Sequence, residues 1–242
     1  MAVVVSRVGV VTPYGRGVEN FLDGMQKGSV ALQSHSPLRW LESDLAGVVP
    51  NIGFKQYLKR RKAAKLMTPS ARLAMDAVGQ IRDQVDRSFE DVGLFLSVGR
   101  EPPDEGDAES ALIASVVDGQ FSELALATKG RDLYPPLLPL KTLPNLILGH
   151  LSIHFGFCGE NAAWAGEGVQ SVLEGYWSLV EGRSDAVIVG AADSLIDLGQ
   201  ARDILRMGVE HPPGQAAVAF LMHRFDEFNQ SGIAKLTYTG NQ

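Results

Sequence analysis

The chain is poor in cysteine. Of its 242 residues only Cys158 carries a thiol, so neither an internal disulfide nor a cysteine zinc cluster can form, which suits a reducing cytoplasm. Long apolar runs are missing too. No window reaches 18 uninterrupted apolar residues, and the start, MAVVVSRVGVVTPYG, lacks a basic lead and has an Arg inside its apolar run. A membrane span and a signal peptide are therefore not expected. Positive charge is scarce: 22 Lys and Arg against 28 Asp and Glu leave a net charge of −6, which argues against general binding to nucleic acid or to anionic membranes. Phosphate-cradling glycine motifs are absent, because Gly9, Gly15 and Gly17 do not make Gly-x-Gly-x-x-Gly and no Walker loop occurs. No Gly-x-Ser-x-Gly elbow occurs either, which disfavours a standard α/β-hydrolase.

What is present is an ordinary globular composition, 45% apolar and 21% charged, with no repeat and no domain linker. The Val-rich run Ala2 to Thr12 reads as a strand and Val18 to Met25 as a short helix, with irregular chain from Leu32 to Phe54. Thr68-Pro69 is an N-cap and first-turn pair. The spacing of Ala71, Met75, Val78, Ile81 and Val85 predicts an amphipathic helix to about Asp86. Val92 to Val98 and Ala186 to Ala192 read as strands buried on both faces. Glu101 to Glu109, with five acids, reads as a solvated loop. Asn145 to Ile153 reads as helical, Asn161 to Ala165 as a short strand, and Val169 to Val180 as a helix closed by Gly182. Ala216 to Met222 and Ala234 to Thr239 close the chain as a strand pair around Asn229-Gln230-Ser231-Gly232. This alternation predicts a layered α/β domain with a mixed sheet, spanning residues 1–242 as one unit.

Candidate chemistry is sparse. Cys158 sits on a Gly-Phe-Cys-Gly turn and not at a helix start that would activate it, so it reads as structural or incidental. His150 and His154 stand four apart and share a helix face. Leu151 follows the first, where metalloproteases place Glu, and no third ligand is spaced nearby, so the pair reads as packed histidines and not as a zinc site. His35, His211 and His223 belong to no motif. Lys59-Arg60-Arg61-Lys62 and Lys65 put five positive charges into seven residues, either a solvated face or a surface that steers an acidic partner.

The stretch from Leu143 to Ser194 resembles the nucleophile region of β-ketoacyl synthases. Leu143-Pro144-Asn145 stands before a helix, and Phe155-Gly156, Gly159 and Asn161 match a Phe-Gly-x-x-Gly-x-Asn turn. Gln170 falls in the following helix, and Gly190-Ala191-Ala192-Asp193 matches the Gly-Gly-Ala-(Glu/Asp) strand end. Gly9 to Gly15, Arg60-Arg61 and Gly214 to Met222 agree with other blocks. The resemblance implies a thiolase-like half, α/β, with a mixed five-stranded sheet layered with helices.

Two departures bear on activity. The family's segment is longer and ends in Thr-Ala-Cys-x-x-Gly; here Ala-Ala-Trp-Ala-Gly-Glu-Gly-Val is about three residues short and lacks the cysteine. Trp164, Ala165, Gly166 and Glu167 form a degenerate nucleophile region, with Ala165 or Gly166 nearest the missing thiol. The second departure is length: the family's second half supplies two histidines, and Gln242 falls where the first half would end. Without thiolate and histidines neither the acyl-enzyme nor a stabilised malonyl carbanion forms. The resemblance thus implies no catalytic residue, no cofactor and no metal. The chain would be a non-catalytic, chain-length-factor-like partner of a full-length β-ketoacyl-ACP synthase, in polyene, polyketide or fatty-acid-type biosynthesis. On that reading Asn161, Ala162, Ala163, Trp164 and Ala165 pair across a heterodimer axis. Ile113, Val116, Val117 and Phe121, at helical spacing, floor an acyl tunnel or simply pack. Lys59, Arg60, Arg61, Lys62 and Lys65 dock an acyl carrier protein. A carrier-binding scaffold, and a stand-alone hydrolase or acyltransferase using Ser or Glu167, remain alternatives.

Overall fold

The Val-rich opening forms strand β1 (Val3–Thr12), which turns through Pro13-Tyr14 into the short β2 (Gly15–Arg16) and helix α1 (Val18–Gln26). The structure, a computed structural model, describes residues 2–99, 106–225 and 232–236. Irregular chain follows, as expected, with only β3 (Gln33–Ser34), β4 (Leu45–Ala46) and 3-10 turns at Phe54–Tyr57 and Arg61–Leu66. Helix α2 (Pro69–Asp83) begins where the Thr-Pro pair predicts, the Thr68 hydroxyl accepting from the Ala71 N–H at 3.3 Å. It leads to β5 (Gly93–Val98), buried at every position.

The next segment departs from expectation. Apolar residues at 113, 116 and 117 suggest a continuing helix, but α3 (Glu109–Ala114) stops and a hairpin of β6 (Val116–Val117) and β7 (Gln120–Phe121) follows. Asp118-Gly119 is the cause: both residues take positive φ, the geometry of a two-residue hairpin turn, which overrides a weak apolar period. Short helices α4 (Glu123–Ala125), α5 (Arg131–Leu133) and α6 (Leu138–Lys141) lead to α7 (Leu146–Phe155).

The remaining elements are β8 (Asn161–Ala165), α8 (Val169–Val180), β9 (Ala186–Ser194), α9 (Leu198–Arg206), β10 (Gln215–Arg224) and β11 (Ala234–Leu236). The expected solvated loop lies partly, and the connection around Asn229 to Ser231 wholly, outside the described residues, as do positions 237–239 of the last strand.

The sheet runs β11-β1-β10-β9-β5-β8, with β2 hanging on β1. β5 is parallel to β9 and β8, whereas β9–β10, β10–β1 and β1–β11 are antiparallel, so the sheet is mixed. It carries seven strands and not five, because the two short strands β2 and β11 both attach to β1. Helices α2 and α7 cover one face, packing Leu73, Val78, Ile147 and Leu151 against Leu94, Leu96 and Ile188. Helix α8 covers part of the other, with Leu179 among Val3, Phe95, Val189 and Met222.

Candidate functional site

Three parallel strands, β8, β5 and β9, end side by side: Val98 pairs with Ala165 on one flank and with Ala192 on the other. Loops beyond the carboxyl ends of such strands are where α/β sheets place ligands. Here those loops hold Gly99 and the segment 166–168, beside Asp193 near the end of β9. The turn is held tightly. The Gly166 N–H donates to Val98 O at 3.3 Å and the Ser97 hydroxyl to Glu167 O at 2.8 Å. The Ser171 hydroxyl lies 2.8 Å from both Gly168 O and Gly190 O, seating the start of α8 on β9. Gly166 has φ +145°, in the region that favours glycine. Neither Ala165 nor Gly166 carries an atom that can attack a thioester, and both are exposed, as is Glu167. Trp164 stacks on Phe95 at 6.2 Å between centroids, which anchors the strand from the α8 side.

Asp193 closes the motif on β9. Its Oδ1 accepts from the Ser194 N–H at 2.7 Å, and a Cβ on Gly99 would lie 2.1 Å from the carboxylate, so only glycine leaves room for it. Burial raises the Asp193 pKa, with Asp197 adding to the rise and the Ser194 bond opposing it. The carboxylate edges an apolar cavity of about 670 Å³ walled by Val10, Phe21, Ala191 and Val218. The Gly190-Ala191-Ala192-Asp193 strand end is the sequence signal for this acid.

Strand β8 ends the sheet, with no further strand beyond it among the described residues. The Leu94 N–H donates to Glu160 O and the Gly166 N–H to Val98 O, so even-numbered residues bond β5. The N–H groups of Asn161, Ala163 and Ala165 then point along the open edge. Cys158 lies before the other end of β8, exposed, its N–H donating to Glu90 O.

The basic residues Lys59, Arg60, Arg61, Lys62 and Lys65 are exposed, and the two histidines of α7 hold them in place. The Lys59 N–H donates to His154 Nδ1 at 3.0 Å, and His150 Nε2 donates to Leu66 O at 3.3 Å. The run is thus pinned at both ends. Burial pushes the pKa of both histidines down, with His150 and Lys59 charges adding at His154 and the Leu66 bond opposing at His150. The native state therefore binds protons more weakly than the unfolded chain. Stability present above the ordinary value of 6.5 is lost as pH falls through it. The urea midpoint is expected to drop between about pH 7.5 and about pH 5.5, and to drop less in His154→Gln, whose amide oxygen can still accept from Lys59. An equal drop in the variant would place the dependence elsewhere.

Ile113, Val116, Val117 and Phe121 lie together on α3 and the hairpin, Val116 directly opposite Phe121. All four are exposed in the isolated chain, Phe121 by 57% and Ile113 by 65%, so they are not core. Among the described residues no group of three His, Cys, Asp or Glu could hold a metal ion, and no helix is long and apolar enough to cross a membrane.

A family profile described as the N-terminal domain of beta-ketoacyl synthase matches residues 1–228. No curated protein matches the sequence. Among solved structures, the ishigamide ketosynthase/chain length factor superposes with a TM-score of 0.73 at 19% identity, over 97% of this chain and 65% of that one. A type II polyketide synthase complex of acyl-carrier protein with its ketosynthase, AntDE:AntF, gives 0.73 at 15% identity over 98% and 67%. The ketosynthase from module 6 of the bacillaene synthase of Bacillus subtilis 168 gives 0.66 at 12% over 95% and 40%. At these identities the likeness is one of fold, and the chain spans less than two thirds of the ishigamide chain's length.

Proposed function

The chain belongs to the β-ketoacyl synthase family, through the N-terminal domain, and from that membership we propose that it acts as a non-catalytic partner subunit of a full-length β-ketoacyl-ACP synthase. One observation supports this reading: a strand, a turn and a helix follow one another at Asn161–Ala165, 166–168 and Val169–Val180, and no cysteine stands among them, with Ala165 or Gly166 nearest the place the family gives its nucleophile. The open edge of β8, from Asn161 to Ala165, supports pairing with a second sheet. Two structural neighbours, one a ketosynthase/chain length factor and one a ketosynthase with its acyl-carrier protein, support the same reading. On this reading the subunit works in the cytoplasm, in polyketide, aryl-polyene or fatty-acid-type assembly. The partner holds the acyl chain while this subunit shapes the tunnel and stabilises the pair.

Co-expression with a full-length synthase should give a tight 1:1 complex on size exclusion. Intact mass of the isolated chain after exposure to acyl- or malonyl-carrier protein should show no adduct. Cys158→Ala should leave product formation within about a few-fold, because an exposed thiol at the far end of β8 takes no part. An acyl adduct on the isolated chain, or esterase activity from a monomer, would sink the proposal.

The exposed patch on α3 and the hairpin is proposed to close the acyl tunnel once the partner covers it. Phe121→Ala or Ile113→Ala should lengthen the products of the reconstituted pair. Because both side chains are more than half exposed, the stability cost in the isolated chain should stay near ~0.5 kcal/mol. An unchanged product distribution from intact complexes would move the length gate elsewhere. A second reading, a carrier-binding scaffold, is favoured by the basic run that His150 and His154 pin in place. It predicts carrier binding without a synthase.

A further inference from the structure

The face of the sheet that α8 only partly covers carries the apolar cavity of about 670 Å³, with one charged group on its wall. Its floor follows from strand register. Val10 pairs with Val218 and Val218 with Ala191, so one apolar row crosses β1, β10 and β9. Two residues on, roughly 7 Å along the strands, the next row puts Ala216 beside Asp193 on the same face. Ala191 and Ala216 are small, which leaves the hollow open, and Phe21 of α1 walls one side of it. Among the described residues of the lining, Asp193 alone is ionisable. Its carboxylate is half-buried and held in place, with the Ser194 N–H on Oδ1 and Gly99 packed against it. No ion pair answers it among the described residues. Burial and the Asp197 charge both raise its pKa, the mark of a negative charge short of compensation.

We propose that this cavity binds a hydrophobic monoamine, its ammonium on Asp193 and its apolar body over the row Val10, Val218 and Ala191. The carboxylate has already lost part of its water on folding, so an arriving cation meets a preformed charge and not a fully hydrated one. The Asp197 charge, which opposes ionisation of Asp193, favours a cation beside it. An anionic ligand would meet like charge. A wholly apolar ligand would leave the carboxylate facing hydrocarbon with nothing to answer it. Apolar walls with one fixed polar group are the usual make-up of a small-molecule site, and the volume is in the range of such sites. The inference concerns the chain by itself and does not rest on its being a synthase partner.

Titration calorimetry of the full chain with phenethylamine, in a buffer free of other amines, tests it. Saturable 1:1 binding is expected. Phenethyl alcohol has the same body without the charge and should bind about ten-fold more weakly or worse. The same loss is expected for phenethylamine on Asp193→Asn, whose Oδ1 can still accept from Ser194. Ala216→Phe, at an exposed position beside Asp193, fills the hollow and should weaken the amine by at least as much. Unchanged urea midpoints confirm that the variants are folded. Should Asp193→Asn fail to fold, the alcohol and Ala216→Phe still decide. Hexylamine forms the second arm: binding of both amines, or of either alone, supports the site and tells whether it takes an aromatic or an aliphatic body. No saturable heat with either amine, an alcohol as tight as its amine, or undiminished affinity in a folded Ala216→Phe or Asp193→Asn would each overturn the proposal.

Discussion

Replacing Ala163 with Pro is expected to abolish the complex with a full-length synthase while the chain itself stays folded. Ala163 lies in the middle of β8, and its N–H points away from β5 along the open edge. Proline is tolerated at such positions because no ladder bond within the sheet is lost. A partner strand would lose one backbone hydrogen bond, keep an unsatisfied carbonyl and meet the pyrrolidine ring. Together these cost on the order of 2–4 kcal/mol, or roughly 30-fold or more in affinity. Ala162→Pro is the control. Its N–H faces β5, so it should destabilise the chain itself. Size exclusion of the co-expressed pair and urea unfolding of each variant alone read the two effects separately. A stable 1:1 complex containing Ala163→Pro would show that association does not run through this edge.

Asp76→Ala should cost about 3 kcal/mol of folding stability, the low end for breaking a buried ion pair. Asp76 on α2 is fully buried and gathers three segments of the chain. Arg16 Nε donates to its two oxygens at 2.8 and 2.9 Å, the Gly53 N–H donates to Oδ2, and Gln80 Nε2 lies 3.5 Å from Oδ1. The bond to Asp76 holds the Arg16 pKa above its ordinary value, against the pull of burial. Tyr57 extends the network, accepting from Arg16 at 3.4 Å and donating to Asp83 at 2.6 Å. Burial and then the Asp83 bond push it up to about 12. Removing the carboxylate strands the Gly53 N–H, whereas Arg16 is 34% exposed and can turn to water, hence the low end. The melting temperature should fall by roughly 6–12 °C. A loss below about 1 kcal/mol would mean that water replaces the carboxylate at little cost.

Elements with a strong apolar period or an unbroken apolar run were readable in advance. β5 and α2 are examples, because burial itself writes those patterns. Helix α9 went unread: it is only nine residues long and buries only Gln200 and Ala201, although Leu198, Ala201 and Leu205 recur at helical spacing and Asp197 caps it, accepting from Gly199 and Gln200. The hairpin at Val116 to Phe121 was hidden by spacing that mimics a helix, although Asp118-Gly119 announces a turn. The absence of a cysteine between Asn161 and Gln170 was visible because it is local, a matter of which residues follow one strand. Asp193 over Gly99 and the histidine pins were not, since each joins residues that only the fold brings together.

The turn at Gly166 also bears on descent. Any side chain placed there must live at φ +145°, at a strain on the order of 1–3 kcal/mol. For a fold whose whole margin is about 5–15 kcal/mol, a one-step gain of a thiol at this residue begins with a sizeable stability loss. The turn would have to remodel first, and that change alone earns no activity for selection to keep. On the proposed reading, with Ala165 or Gly166 nearest the nucleophile position, Gly166 acts as a ratchet: a backbone shape that only glycine holds comfortably puts any reactive side chain at that residue several mutations away.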